Sequence, residues 1–147
     1  MKKHRAFLFL AVMSLAPVAA QAHGTICDKP FQTAGTIALP AGFSGVTAQF
    51  TVPVGYRLQI EQISAGVRLP AATDTADFNI GTTVGGAFAW HNLQVAQGYS
   101  IFDRKTFGPV TLYADKGTDV RIAISRITAS NPAGTARWAV TGCLYAA

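Results

Sequence analysis

The stretch 107–127, FGPVTLYADKGTDVRIAISRI, decides the fold of this chain. Apolar residues occupy alternate positions at 110, 112 and 114, and again at 120, 122 and 124. This period of two is typical of β-strands with one buried and one solvent-facing side. Between the two halves lies Asp-Lys-Gly-Thr at 115–118, where Asp115 can begin a type I turn and Gly117 can take the left-handed conformation. We therefore predict a hairpin of two strands joined by one tight turn.

The same alternation recurs outward from this stretch. It is present at 36–39, 46–52, 57–69, 76–84, 87–95 and 136–145, each bounded by Gly, Pro or small polar residues. Within 57–69 the apolar phase shifts by one residue after Ile60, which predicts a β-bulge near Gln62. The pattern indicates an all-β fold, an antiparallel β-sandwich of seven to nine strands, and we favour the jelly-roll type.

Residues 1–22 have the character of a secretory signal peptide. Lys2, Lys3 and Arg5 precede an apolar run at 6–15 that is too short to cross a membrane. Cleavage after Ala20 or Ala22 fits the small-residue rule, and we prefer the second. We therefore expect residues 23–147 to form a single β-sandwich domain, periplasmic or secreted, with no membrane span once the signal is removed.

Charge gives little reason to expect nucleic acid as a partner. Three of the twelve Lys and Arg residues lie in the signal while all seven acids lie after it, so the positive excess falls from five to two. The remaining cations are scattered along the chain, apart from Arg104 and Lys105. Nucleic acid binding needs a dense basic face.

The chain has two cysteines, Cys27 and Cys143, near the two ends of the predicted domain. In an oxidising compartment such a pair is most simply a disulfide that joins the termini. The alternative, a metal or redox pair, would need a second Cys or His at ligand spacing beside one of them, and neither has one. We predict a Cys27–Cys143 disulfide.

Residue types that carry catalysis are scarce after residue 22. The only histidines there are His23 and His91, the only glutamate is Glu61, and no Gly-x-Ser-x-Gly motif is present. The aspartates mostly occupy turn sequences, where they serve local hydrogen bonds. We expect a non-catalytic protein without a cofactor.

The aromatic residues near Trp90 suggest a small-molecule site as one alternative hypothesis. Trp90 and His91 follow the Gly-Gly turn at 85–86, and Tyr99 and Arg104 lie in the irregular connection 97–105. Aromatic rings beside polar side chains are the composition of a carbohydrate site. Trp90, however, shares the sequence phase of Phe88, and we expect that phase to face the core.

Copper is a second alternative ligand. If cleavage follows Ala22, the α-amine and imidazole of His23 could join His91 in a three-nitrogen site suited to Cu(II). This pair is similar to the histidine brace of copper-dependent polysaccharide monooxygenases and of some periplasmic copper carriers. Cleavage after Ala20 would instead leave Gln-Ala-His at the terminus.

Three stretches carry a family resemblance: TVPVGYRLQIE at 51–61, VTLYADKGT at 110–118 and VTGCLY at 140–145. They resemble small exported bacterial β-sandwich proteins of unassigned function. The shared residues are turn and core residues, so the resemblance implies a fold and no chemistry.

Together these observations favour a secreted binding or envelope interaction module of unknown ligand. The alternatives are a carbohydrate-binding module and a copper-binding protein. The partner would then be a carbohydrate or an envelope protein. Segment 136–145 has few charges, and as an edge strand it would leave room for self-association or strand donation.

Overall fold

The computed structural model describes residues 27–70, 72–126 and 132–147. All regular elements in these ranges are strands. They are β1 (Lys29–Leu39), β2 (Gly45–Thr51), β3 (Tyr56–Arg68), β4 (Ala76–Val84), β5 (Ala87–Leu93), β6 (Ala96–Gln97), β7 (Asp103–Ala114), β8 (Asp119–Arg126) and β9 (Gly134–Ala146).

The strands form two antiparallel sheets. One has five strands in the order β1-β9-β3-β7-β6, and the other has four in the order β2-β8-β4-β5. Strand β1 pairs with β9, β2 with β8, β3 with β7 and β4 with β5, as in one long hairpin rolled into two layers. This is the jelly-roll arrangement, so the predicted antiparallel β-sandwich is confirmed with nine strands.

The turn at 115–118 is present, but the predicted hairpin around it is wrong. Gly117 has a φ of 70°, as the turn requires. Strand β7 nevertheless belongs to the five-stranded sheet and β8 to the four-stranded sheet. Their apolar residues point into the core from opposite sheets instead of lying side by side in one sheet. Alternation shows which side of a strand is buried. It does not show which other strand pairs with that strand.

The phase shift in β3 is a β-bulge, as predicted. Its register with both β7 and β9 shifts between Ile60 and Gln62. The bulge keeps Ile60 and Ile63 on the same buried side, each no more than 1% exposed. The sheet therefore keeps one continuous inner face despite the odd spacing.

The core lies between the two sheets and is filled by the inward side chains of both. Its largest fully buried members are Phe78, Leu39, Leu58, Ile60, Ile63, Ile80, Ile122, Ile124, Val52, Val120, Val140 and Cys143. Near β1 and β2, Trp138 stacks on Phe50 with 6.0 Å between ring centroids. The expectation that 136–145 is an edge strand is wrong, because β9 pairs with β1 on one side and β3 on the other.

The predicted disulfide joins Cys27 to Cys143, with 5.5 Å between their Cα atoms. A disulfide indicates an oxidising environment outside the cytoplasm. Within the described ranges, no helix is long and apolar enough to cross a membrane. The predicted signal peptide, residues 1–22, lies outside the described residues.

Candidate functional site

The β4–β5 hairpin sets the position of the aromatic residues. Gly85 and Gly86 form its two-residue turn with φ values of 60° and 80°. Positive φ at both central positions is the requirement of the tight turn that matches strand twist, and glycine meets it without strain. The turn pairs Val84 with Ala87 and so fixes the register of every later residue in β5.

This register overturns the prediction that Trp90 faces the core. Ile80 points into the core, and its cross-strand partner is His91. Directly opposed residues share a face of the sheet, so His91 points inward while Trp90, one position before it, points outward. Trp90 is 46% exposed and Phe88 is 42% exposed. The two-residue turn pairs even-numbered positions of β4, which face the core, with odd-numbered positions of β5. The alternation within β5 alone did not show which of its two sides faces the core.

Phe88 and Trp90 form a packed cluster with Arg121 on the outer surface of the four-stranded sheet. The two rings meet edge to face, at an interplanar angle of 89° and a centroid distance of 5.2 Å. The guanidinium carbon of Arg121 lies 5.4 Å from the centroid of Phe88. All three side chains surround Gly81, which pairs with Trp90 on one side and Arg121 on the other. We call this surface the aromatic face.

Gly81 makes room for the aromatic face. A Cβ at this position would overlap Cζ of Phe88 and lie 3.0 Å from Cε3 of Trp90. The rings thus rest directly on the backbone of β4. Glycine in a strand interior often marks such a close approach, and here it holds two exposed rings in a defined arrangement.

Polar side chains surround the rings on the same outer surface. The Asn79–Asn92 pair lies two residues along the strands from the Gly81–Trp90 pair and on the same side of the sheet. On the neighbouring strand, Gln49 pairs with Arg121. Amide groups can both donate hydrogen bonds to hydroxyl groups and accept them, and a guanidinium group can donate to them. The aromatic face therefore combines ring surface with hydrogen-bonding groups on a rigid sheet.

His91 lies apart from this surface. Its side chain points inward and is partly buried, and its Nε2 lies 3.4 Å from the hydroxyl of Thr82. His23, the other half of the predicted copper site, lies outside the described residues, so the histidine brace stays a prediction. Within the part of the chain that is described, no three His, Cys, Asp or Glu residues are grouped as metal ligands.

Tyr99 and Arg104, the remaining predicted ligand residues, belong to the other side of the sandwich. Tyr99 is fully exposed, and the ammonium of Lys105 lies 4.9 Å from its ring centroid. Arg104 donates hydrogen bonds to the carbonyls of Ala72 and Ile101, at 2.6 and 2.8 Å. The structure does not bring Tyr99 or Arg104 to Trp90.

Sequence reasoning missed Phe88, Gly81 and Arg121 as parts of the site. A signal for the first two was present. An inward Ile80 implies that Gly81, the next residue, lies on the outer side, and with a two-residue turn at 85–86 it implies that Phe88 and Trp90 point outward. Arg121 could not be found in this way. It reaches the site through the pairing of β8 with β4, which is separated from it by three strands in sequence.

Comparison with known proteins leaves the chain without a family assignment. No protein-family model and no curated protein matches it. Among solved structures, it is similar to dimeric latent PorU from Porphyromonas gingivalis, with 6% identity and a TM-score of 0.41. The match covers 84% of this chain and 14% of that chain. The class of this protein therefore rests on its fold and site: it is a disulfide-linked jelly-roll β-sandwich with an exposed aromatic face.

Proposed function

We propose that this protein is a non-catalytic, exported binding module that holds a carbohydrate on its aromatic face. The observation that carries the proposal is the outward position of Trp90, packed edge to face with Phe88. An exposed indole leaves apolar surface in contact with water, which is unfavourable in free energy. It also offers an apolar plane to the CH groups of a sugar ring.

The neighbours of the indole support the same ligand class. Arg121, Asn79 and Asn92 lie on the outer surface around the rings, within the same three strands. A sugar presents both CH faces and hydroxyl groups, so it needs ring surface and hydrogen-bonding side chains side by side. The disulfide and the signal-like residues 1–22 support a periplasmic or secreted site of action.

The direct test is a glycan-array screen of the purified disulfide-bonded protein, followed by affinity measurements on the saccharides that bind. Trp90→Ala is expected to weaken binding by about tenfold or more, as for a buried aromatic anchor. Tyr113→Ala is the matched control, because Tyr113 is 41% exposed and lies on the five-stranded sheet. Absence of any saccharide binding, or equal losses in the two variants, would refute the proposal.

An envelope protein is a second candidate partner, favoured by the edge position of β5. Among the described residues this strand has one neighbour in its sheet, β4, and its seven residues carry no acid, Lys or Arg. An uncharged edge strand can accept a strand from another protein. In that case the amides of β5 would become protected from hydrogen exchange when the partner is added, and the glycan array would show no binding.

A further inference from the structure

A groove runs along β3 on the outer surface of the five-stranded sheet, opposite to the aromatic face. Gly66 forms its floor and pairs with Lys105 of β7 on one side and Arg137 of β9 on the other. Two depressions, of 340 and 560 Å³, share these three residues and are therefore continuous. We call this groove the cationic trough.

Glycine at position 66 is not required by the fold. A Cβ there would lie 3.7 Å from the carbonyl oxygen of Arg104 and 3.9 Å from Cβ of Lys105, which are ordinary contact distances. The φ angle of Gly66 is also not positive, so its backbone conformation does not require glycine. Glycine inside a strand costs roughly 0.5–1 kcal/mol relative to alanine. An unneeded glycine with open space above it marks a place where a ligand can approach the backbone.

The trough carries an excess of positive charge. Arg68, Lys105 and Arg137 line it, and none of the three forms an ion pair with a carboxylate of the described residues. Asp103 lines the end near Arg68, where its carboxylate accepts a hydrogen bond from the amide of Ser100 at 3.2 Å. Arg104 also lines the trough, and its guanidinium donates to the carbonyls of Ala72 and Ile101. Four cations against one acid leave the trough suited to a negatively charged group.

Aromatic rings stand at both ends of the trough. Phe107, 71% exposed, lines the depression that contains Ser64, and Tyr99 lines the depression that contains Arg68, with its ring centroid 4.9 Å from the ammonium of Lys105. The loop that carries Tyr99 is closed by a hydrogen bond from the amide of Gly98 to the carbonyl of Asp103, at 2.9 Å. Four residue steps along β3 separate the two ends, roughly 13 Å. A linear ligand could therefore meet a ring, a cationic centre and a second ring in turn.

We propose that the cationic trough binds an acidic saccharide, one that bears a uronate carboxylate or a sulfate ester. The oxyanion lies over Gly66 between Lys105 and Arg137, where charge-assisted hydrogen bonds are strongest. The sugar rings pack against Tyr99 and Phe107. Nucleic acid fits less well, because four cations in one short groove do not make an extended basic surface. The site is independent of the aromatic face.

The test is an amide chemical-shift titration of the whole disulfide-bonded protein at low salt. The probes are trigalacturonate and a sulfated disaccharide, with cellotriose as the neutral comparison. Shifts are expected at outward residues of β3, β7 and β9 with either acidic probe and not with cellotriose. The double variant Lys105→Gln/Arg137→Gln should bind the active probe about tenfold more weakly, since two charge-assisted contacts are lost.

Three further variants separate this site from general charge attraction and from the aromatic face. Lys29→Gln/Lys116→Gln removes the same charge elsewhere and should bind normally, as should Trp90→Ala. Gly66→Val should keep the thermal stability of the wild type and lose binding, because its side chain fills the floor. The proposal is overturned if neither acidic probe shifts these strands, if both double variants lose affinity equally, or if Gly66→Val binds normally. It is also overturned if inorganic sulfate or an oligothymidylate binds the trough as tightly as the acidic saccharides.

Discussion

Gly81 faces Trp90 across the β4–β5 ladder, and the indole rests where a side chain at position 81 would stand. The same arrangement, a tryptophan ring packed on a glycine of the neighbouring strand, occurs in the interior of the sandwich. Gly35 pairs with Trp138, and a Cβ at Gly35 would lie 2.9 Å from Cζ2 of that indole. One tryptophan packs in the core and the other lies on the surface, but both rest on a glycine backbone. The exposed ring is therefore held in place before any ligand arrives, which lowers the entropy lost on binding.

Gly81→Ala should separate the order of the aromatic face from the stability of the fold. The new methyl group would overlap Phe88 and push both rings outward into solvent. Since the rings are half exposed, we expect the free energy of unfolding to change by less than about 1 kcal/mol. Saccharide affinity should fall several-fold. Gly108→Ala, where a Cβ meets nothing within 4 Å, is the control and should bind normally.

Arg126→Met should strongly destabilise the protein. Arg126 is 3% exposed, and its guanidinium donates to the carbonyls of Pro40, Phe43 and Pro132 at 2.8–3.0 Å. Methionine keeps much of the volume but leaves these acceptors without a donor. We expect a loss of about 3 kcal/mol in urea unfolding. Arg121→Met, an exposed arginine on the same strand, should change it by less than about 0.5 kcal/mol; similar effects of the two variants would contradict this assignment.

Replacing both Cys27 and Cys143 by serine should lower the urea midpoint substantially. The disulfide spans a sequence separation of 116 residues. In the chain-entropy model, opening a loop of that size costs about 5 kcal/mol, an upper value when the denatured chain keeps structure. Reductant should lower the midpoint of the wild type towards that of the variant and have no effect on the variant itself. A midpoint unchanged by the double substitution would show that the disulfide adds nothing to stability.

Gly142→Ala should disrupt the sheet at the β3 bulge. A Cβ at Gly142 would collide with the backbone carbonyl of Gln59 and lie 3.1 Å from the Cα of Ile60. Neither atom can move without shifting the β3–β9 ladder, so we expect a loss of about 3 kcal/mol in thermal unfolding. Gly66→Ala, on the same strand pair, meets only ordinary contacts and should be neutral or stabilising by about 0.4–1 kcal/mol. Equal effects at the two positions would contradict the close approach at 142.

The spacing of apolar residues and cysteines predicted those parts of the fold that depend on residues near one another in sequence or on position in the chain. The bulge near Gln62, the buried phase of Val120, Ile122 and Ile124, and the Cys27–Cys143 disulfide all followed from spacing or from chain position. The partner of each strand did not, because β7 and β8 satisfy the same alternation whether they pair in one sheet or lie in opposite sheets. Long-range pairing also brought Arg121 to the rings, and one sequence contains no direct signal for it.

The face of Trp90 was a different kind of error. The turn at 85–86 and the inward side of Ile80 together determine it, yet the apolar character of Phe88 and Trp90 argued for the core. In this case turn geometry outweighs hydrophobicity, because the register of a two-residue hairpin allows one phase only. An apolar residue that the register forces outward is therefore a stronger indication of function than an apolar residue on an exposed loop.

The measurement that tests the central claim most directly is a titration of the two tryptophan indole N–H signals with a saccharide identified on the glycan array. Trp90 is 46% exposed on the aromatic face, and Trp138 is 8% exposed in the core, so the second signal is an internal control. The account predicts that the Trp90 signal shifts in proportion to occupancy while the Trp138 signal stays in place. Saturation by the saccharide with an unmoved Trp90 signal would contradict binding at the aromatic face.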